Sequence, residues 1–139
     1  MNPAELVERA LHLLLRHDMA AFADLWAENG VLEFPFAQPG APQRVEGRAA
    51  VREYLHGYPD LVDVREIPER VVHRTEDPDV LVVEFTATGV VVATGKPYAM
   101  RYIAVITVRD GEIQHYRDYW SPAAAAEIMT GALAGTPNA

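Results

Sequence analysis

Two side chains in this 139-residue sequence are placed to hold or move a proton. Asp118 is a carboxyl set among rings in Tyr116-Arg-Asp-Tyr-Trp120, and Arg101 is the one charge in Met100-Arg-Tyr-Ile-Ala-Val105. Burial among rings raises a carboxyl pKa, and a neighbouring guanidinium lowers it. A carboxyl balanced between those pulls exchanges a proton near neutral pH and can act as a general acid or base. A buried Arg needs an anionic partner, so Arg101 would orient Asp118 or hold a substrate acid group. The same types also suit plain ion pairs, Asp118 with Arg101 or Arg117, and Arg101 with Glu84 or Asp118.

Other chemistries find little support. There is no cysteine, which removes disulfides, thiolate catalysis and zinc-thiolate sites. The five histidines form no HxxxH or His-x-His cluster, so no metal site is expected. His56 could reach a pocket mouth and His73 could line a cavity from the first long strand. No glycine-rich phosphate loop, Ser-His-Asp order or nucleotide fingerprint occurs, and no cofactor is expected. A net charge of −8 argues against nucleic acid or an anionic membrane surface as partner. The first residues carry acids where a signal peptide needs bases, and no aliphatic run approaches a membrane span. A soluble, cytoplasmic protein is the expectation.

The elements that must position these residues are readable in outline. Residues 3–17 repeat apolar side chains at helical steps after Pro3. Asp18 suits an N-cap for a second helix with Phe22, Leu25 and Trp26 on its stripe, ended by Gly30. A short strand over 31–36, an irregular loop over 37–45 and a third helix over 47–58 follow. Four strands, at 63–75, 80–94, 97–109 and 112–120, precede a last helix opened by Ser121-Pro122. One domain over 1–134 with a short tail at 135–139 accounts for the length. Helices first and long strands after predict an α+β fold in which helices cover one face of a curved, mainly antiparallel sheet.

Hairpin arithmetic predicts which side chains share a face. Asp110-Gly111 as a two-residue turn pairs Arg109 with Glu112, Ile103 with Asp118 and Arg101 with Trp120. Gly95-Lys96 as a second such turn pairs Val90 with Arg101. One face then carries Glu84, Thr86, Arg101, Ile103, Tyr116, Asp118 and Trp120, a mixture suited to a cavity lining. The other carries Phe85, Tyr98, Met100, Tyr102, His115, Arg117 and Tyr119 and suits a dimer interface. An extra turn residue would break this assignment. Trp26, Phe34, Tyr54 and Trp120 are expected to show one edge to the cavity, with Tyr58 and Tyr116 nearby.

The run Tyr116-Arg-Asp-Tyr-Trp-Ser-Pro122, the Asp110-Gly-Glu-Ile113 turn and the opening that ends Trp26-Ala-Glu-Asn-Gly-Val-Leu-Glu-Phe-Pro35 resemble the nuclear transport factor 2-like superfamily. The likeness is to its SnoaL-like and ketosteroid-isomerase-like branches, with an ending similar to phenazine-biosynthesis A/B-type proteins, and it extends over essentially the whole chain. It implies a cone-shaped sheet wrapped around N-terminal helices, an internal ligand pocket and a homodimer. Ketosteroid isomerase uses a carboxylate base with a tyrosine and a protonated aspartate as donors. Those positions fall on Phe34, on or near Ala10, and on Ile103, so that mechanism is not expected. Limonene-epoxide-hydrolase-like members use an Arg-x-Asp and a further Asp. Arg101 and Asp118 match, whereas Ile103 replaces the middle acid. SnoaL-like cyclases and phenazine A/B-type proteins place an acid/base carboxylate where Asp118 stands.

These readings converge on a cofactor-independent isomerase, cyclase or condensing enzyme acting on an apolar, ring-containing metabolite. Asp118 and Arg101 would be its catalytic pair, and Trp26, Phe34, Tyr54, Tyr58, His73, Ile103, Tyr116 and Trp120 its pocket. A homodimer would form through the outer sheet face. The alternatives are a non-catalytic binding domain of the same fold and an epoxide hydrolase using a relocated acid such as Glu84.

Overall fold

Asn2 and Glu5 cap the first helix reciprocally. The Asn2 side chain accepts from the Glu5 backbone N–H at 2.8 Å, and the Glu5 carboxylate accepts from that of Asn2 at 3.4 Å. With Pro3 in the first turn this starts α1 (Pro3–Leu15), which buries Leu6, Val7, Ala10, Leu11 and Leu13. His17 then adopts a left-handed conformation (φ 58°), and its ring bonds the Val64 carbonyl at 2.8 Å. Asp18 caps α2 (Met19–Ala23) through the Ala21 N–H at 3.0 Å. The computed structural model describes residues 1–134, with side chains described to 128, so the tail expected at 135–139 lies outside the described residues.

The second helix is shorter than its apolar periodicity predicts. It ends at Ala23, and Trp26 opens a strand, β1 (Trp26–Glu33). Sheet pairing overrides the local pattern here: the Leu25 carbonyl accepts from Ile113 N–H at 2.8 Å, and the Trp26 indole donates to the Val31 carbonyl at 3.2 Å. The loop expected to be irregular contains a short strand, β2 (Arg44–Glu46). Then come α3 (Arg48–His56), α4 (Tyr58–Leu61), β3 (Val62–Arg74), β4 (Val80–Val91), β5 (Pro97–Arg109), β6 (Glu112–Trp120) and α5 (Pro122–Ala134).

Six strands form one curled, unclosed sheet in the order β2-β1-β6-β5-β4-β3. All neighbours are antiparallel except β1 and β6, so the sheet is mixed. The N-terminal helices pack on its inner face, where Leu6, Val7, Trp26, Val51, Val64, Val83, Val108 and Ile113 are completely buried. The α+β class is the one expected from the element order, and the curled sheet around the N-terminal helices is the one the family resemblance implies. Among the described residues no helix is long and apolar enough to cross a membrane.

The register of β6 differs from the hairpin arithmetic, and the difference reassigns the faces. Asp110 and Gly111 both have positive φ (53° and 73°), and Arg109 pairs with Glu112 as a two-residue turn requires. Gln114 is then left unpaired: Val108 lies opposite Ile113, and Thr107 opposite His115. Beyond this bulge Ala104, not Ile103, faces Asp118, and Tyr102, not Arg101, faces Trp120. One inserted residue moves every later side chain of β6 to the other face. The β4–β5 pairing also differs, with Val90 opposite Pro97 instead of Arg101 and the chain reversing over 91–96. That shift is an even number of steps, so the expected face sharing of β4 and β5 is kept.

The β3–β4 contact leaves no room for a side chain at Gly89. A Cβ there would stand 1.9 Å from the Asp63 carbonyl oxygen. Gly57, by contrast, has φ −87° and nothing within 4 Å of such an atom. In urea denaturation, Gly89→Ala should cost about 1–3 kcal/mol or more through forced strand separation. Gly57→Ala should stay within about 0.5 kcal/mol of wild type.

Candidate active site

Alternate residues of β6 point inward, so the bulge delivers Tyr116, Asp118 and Trp120 together to the space between sheet and helices. β5 supplies Tyr98, Met100 and Tyr102 beside them, β1 supplies Trp26 and Leu32, and Phe34 follows directly after it. Tyr54, Leu55 and Tyr58 from α3 and α4 close the opposite wall. The cavity so enclosed measures about 410 Å³, within the range of small-molecule sites. Its walls are aromatic and mutually packed. Phe34 sits 5.1 Å from Tyr54 and 5.4 Å from Trp120, Trp26 stacks on Tyr116 at 5.5 Å, and Phe85 stacks on Tyr102 at 5.1 Å.

Asp118 is the chemically unusual group in this lining. Its Oδ1 is shielded from solvent and has no hydrogen-bond partner among the described residues. Loss of water without a compensating cation pushes its pKa from 3.8 up to about 8. Asp118 is therefore mostly protonated at neutral pH, yet close enough to its midpoint to trade the proton.

Around it stand tyrosines whose hydroxyls stay protonated. Burial is the main cause of the raised pKa of Tyr54, Tyr58, Tyr98, Tyr102 and Tyr116, with the Asp118 charge adding to it at each. Tyr98 and Tyr102 hydroxyls are hydrogen-bonded to one another, and Tyr58 interacts with both. The Trp120 Nε1 is buried and, among the described residues, unpartnered. Apart from Asp118 the only charged side chain lining the cavity among the described residues is Asp60, which is exposed.

The structure thus gathers Asp118 with Trp26, Phe34, Tyr54, Tyr58, Tyr116 and Trp120 around one cavity. Three expected members lie elsewhere. Arg101 is exposed on the outer face opposite Thr86, and Ile103 beside it is 42% exposed. His73 lies exposed on the outer side, 2.6 Å from Glu84. Arg117 also leaves Asp118, since neighbours on one strand point to opposite faces. The Asp118–Arg101 pair is therefore corrected to a carboxyl without a guanidinium, and the relocated acid Glu84 to an outer-face partner of His73. His56 is exposed and His115 bonds Glu33, so neither lines the cavity.

Tyr98, Met100 and Tyr102 of β5, with Phe85 of β4, are cavity residues that hairpin arithmetic assigns to the wrong side. A signal for them was present. Along β5 the alternate set Tyr98, Met100, Tyr102, Ala104 and Ile106 is apolar, while Ala99, Arg101 and Thr107 fall on the other set. A sheet covered on one side buries its apolar alternate.

The raised Asp118 pKa links stability to pH with a definite sign. The unfolded carboxyl ionises near 3.8 and the folded one near 8, so between these values the folded state binds the extra proton. Stability contributed by this group is present below the lower value, falls as pH rises through the window, and levels off above it. Relative to Asp118→Asn, wild type should lose up to about 1.4 kcal/mol of unfolding free energy per pH unit across that window. Parallel denaturant titrations of both proteins at several pH values would measure this, and equal pH profiles would show that the carboxyl is not desolvated.

Comparisons with known proteins agree with this architecture. The SnoaL-like domain family matches residues 7–116. An uncharacterized PhzA/B-like protein of Pseudomonas aeruginosa is 37% identical over 94% of this chain and 92% of its own. A solved Bacillus subtilis protein, provisionally termed an isomerase, is 39% identical over 92% of each chain, with a TM-score of 0.88. A Pseudomonas putida structure provisionally termed a polyketide cyclase shares the fold at a TM-score of 0.78 and 22% identity, over 91% of this chain and 97% of that one. With the match spanning most of its length and the curled sheet, helices and inner pocket in place, the chain belongs to the SnoaL-like domain family.

Proposed function

We propose that the protein is a cofactor-independent acid/base enzyme of the isomerase or cyclase type, acting on an apolar, ring-containing metabolite with Asp118 as the proton carrier. One observation carries this reading: of the two carboxyls lining the aromatic cavity, Asp118 has a solvent-shielded, unpartnered oxygen and a pKa near 8. General acid/base catalysis works best when the group's pKa lies near the working pH. In its neutral form Asp118 donates a proton to a carbonyl or imine of the bound ring. The carboxylate so formed takes a proton from an adjacent carbon. The apolar walls keep bulk water from competing for either transfer.

The provisional name of the Bacillus subtilis structure, an isomerase, is compatible with proton transfer of this kind. Epoxide opening by a shared-proton carboxyl pair is less favoured, because Ile103 replaces the middle acid and Glu84 lies on the outer face. Proton transfer is tested most directly by exchange. In D2O, wild type should incorporate deuterium next to the carbonyl of an enolisable cyclic ketone, followed by NMR. Asp118→Asn should exchange about 100-fold more slowly with ketone affinity, measured by calorimetry, unchanged. Exchange at the wild-type rate in that variant would exclude Asp118 as the carrier.

A homodimer through the outer sheet face belongs to the same proposal. Val71, Glu84, Ile103 and Tyr119 form one row across β3, β4, β5 and β6 on that face, and Val71 and Ile103 are 53% and 42% exposed. Exposed β-branched side chains on the outer face of a sheet favour burial against a second copy. Wild type should sediment as a dimer and Ile103→Glu as a folded monomer. A monomeric wild type would overturn the assignment.

A further inference from the structure

We propose that the pocket selects an uncharged ligand carrying a single hydrogen-bond-accepting oxygen, and that the Trp120 indole N–H receives this oxygen beside Asp118. The inference rests on reading the cavity as the substrate site and names the class of compound it takes, a cyclic ketone or its enol.

Trp120 and Asp118 are two residues apart on β6, so their side chains are neighbours on the inner face. Each ends in a buried polar atom, Trp120 Nε1 and Asp118 Oδ1, with no partner among the described residues. Buried polar groups in folded proteins are almost always hydrogen-bonded, and two adjacent exceptions call for an occupant. An indole N–H can only donate. A protonated carboxyl offers a donor as well. By contrast the Tyr98 and Tyr102 hydroxyls are hydrogen-bonded to one another, one donating and the other accepting. The Trp26 indole is likewise spent, on the Val31 carbonyl at 3.2 Å. Of the three buried side-chain atoms without a partner among the described residues, Arg117 Nε belongs to the other face of β6, and the two on the cavity side stand together and call for an acceptor.

Charge narrows the class further. Among the described residues the lining contains no Lys, Arg or His, and its only acids are Asp118 and Asp60. A carboxylate or phosphate on the ligand would be desolvated without a cation and would face the acidic side chains, which is costly. The displacement of Arg101 to the outer face thus removes the one group that could have held a substrate acid. An ammonium ligand would suit the aromatic faces and an ionised Asp118, but it would leave the Trp120 N–H unsatisfied and aimed at a positive charge. An uncharged oxygen satisfies both orphans.

A set of compounds with one skeleton tests this: tetralin, 2-tetralone, the tetralin-2-carboxylate and the 2-aminotetralinium ion. At pH 7, 2-tetralone should bind wild type about tenfold tighter than tetralin and tighter than either ion. Trp120→Phe should erase most of the ketone's advantage over tetralin. In 15N-resolved NMR spectra the indole N–H signal that Trp120→Phe removes should move downfield with 2-tetralone and stay in place with tetralin. Four results would overturn the proposal: no ketone binding, equal losses for ketone and tetralin, tighter binding of an ion, or an unmoved indole signal on ketone binding. Deuterium exchange by Asp118 is a separate readout. Failure there with ketone selectivity intact would leave a binding site without acid/base chemistry, and exchange without selectivity would leave the chemistry without this recognition.

Discussion

β6 presents its aromatic and acidic residues to the cavity because Gln114 has no partner on β5. The turn at Asp110-Gly111 fixes the strands in one register, and the bulge four residues later displaces that register by a single step. In a sheet a single step exchanges the two faces. With the bulge, Tyr116, Asp118 and Trp120 join Tyr98, Met100 and Tyr102 inside, while Arg117 and Tyr119 join Arg101 and Ile103 outside. The composition of the pocket, its freedom from cations and the solitude of Asp118 all follow from this pairing.

That solitude sets the electrostatics. A buried carboxylate with a guanidinium beside it would be held ionised and would bind its partner firmly. Among the described residues Asp118 has no such neighbour, and folding keeps it neutral at the expense of stability once the pH favours ionisation in the unfolded chain. The penalty at neutral pH is on the order of 4 kcal/mol, a large fraction of what a domain of this size commonly has in hand. A hydrophobic residue at this position would avoid that penalty. Retaining an acid there makes sense if the proton is used, and the aromatic walls that raise the pKa are the same surfaces that would hold a flat ring.

Much of the scaffold was legible because it depends on local patterns. The Pro3 start and apolar repeat of α1, the Asp18 cap, the Asp110-Gly111 reversal and the four long strands are each specified within a few residues. Asp118, Tyr116 and Trp120 were recognisable as one inward-facing set because strand alternation links them regardless of register. The second helix was misjudged for the opposite reason: the apolar spacing through Trp26 fits a helix, yet Leu25 and Trp26 are claimed by hydrogen bonds to β6 and to Val31. Competition between a local and a distant partner is invisible in a linear pattern.

The order of elements, the alternation that groups residues within each strand, and the presence of a carboxyl among rings near the end of the sheet are all written in the linear chain. Which β5 set that carboxyl meets, and so whether its companion is Arg101 or a wall of tyrosines, is settled by folding. Alternation is a property of one strand, written in neighbouring residues. Relative register between strands is settled by the sum of all cross-strand contacts, and one unpaired residue changes that sum without leaving a mark that periodicity can detect. Desolvation is equally non-local: the pKa of Asp118 is set by side chains from β1, β5, α3 and α4 that meet only when the chain is folded.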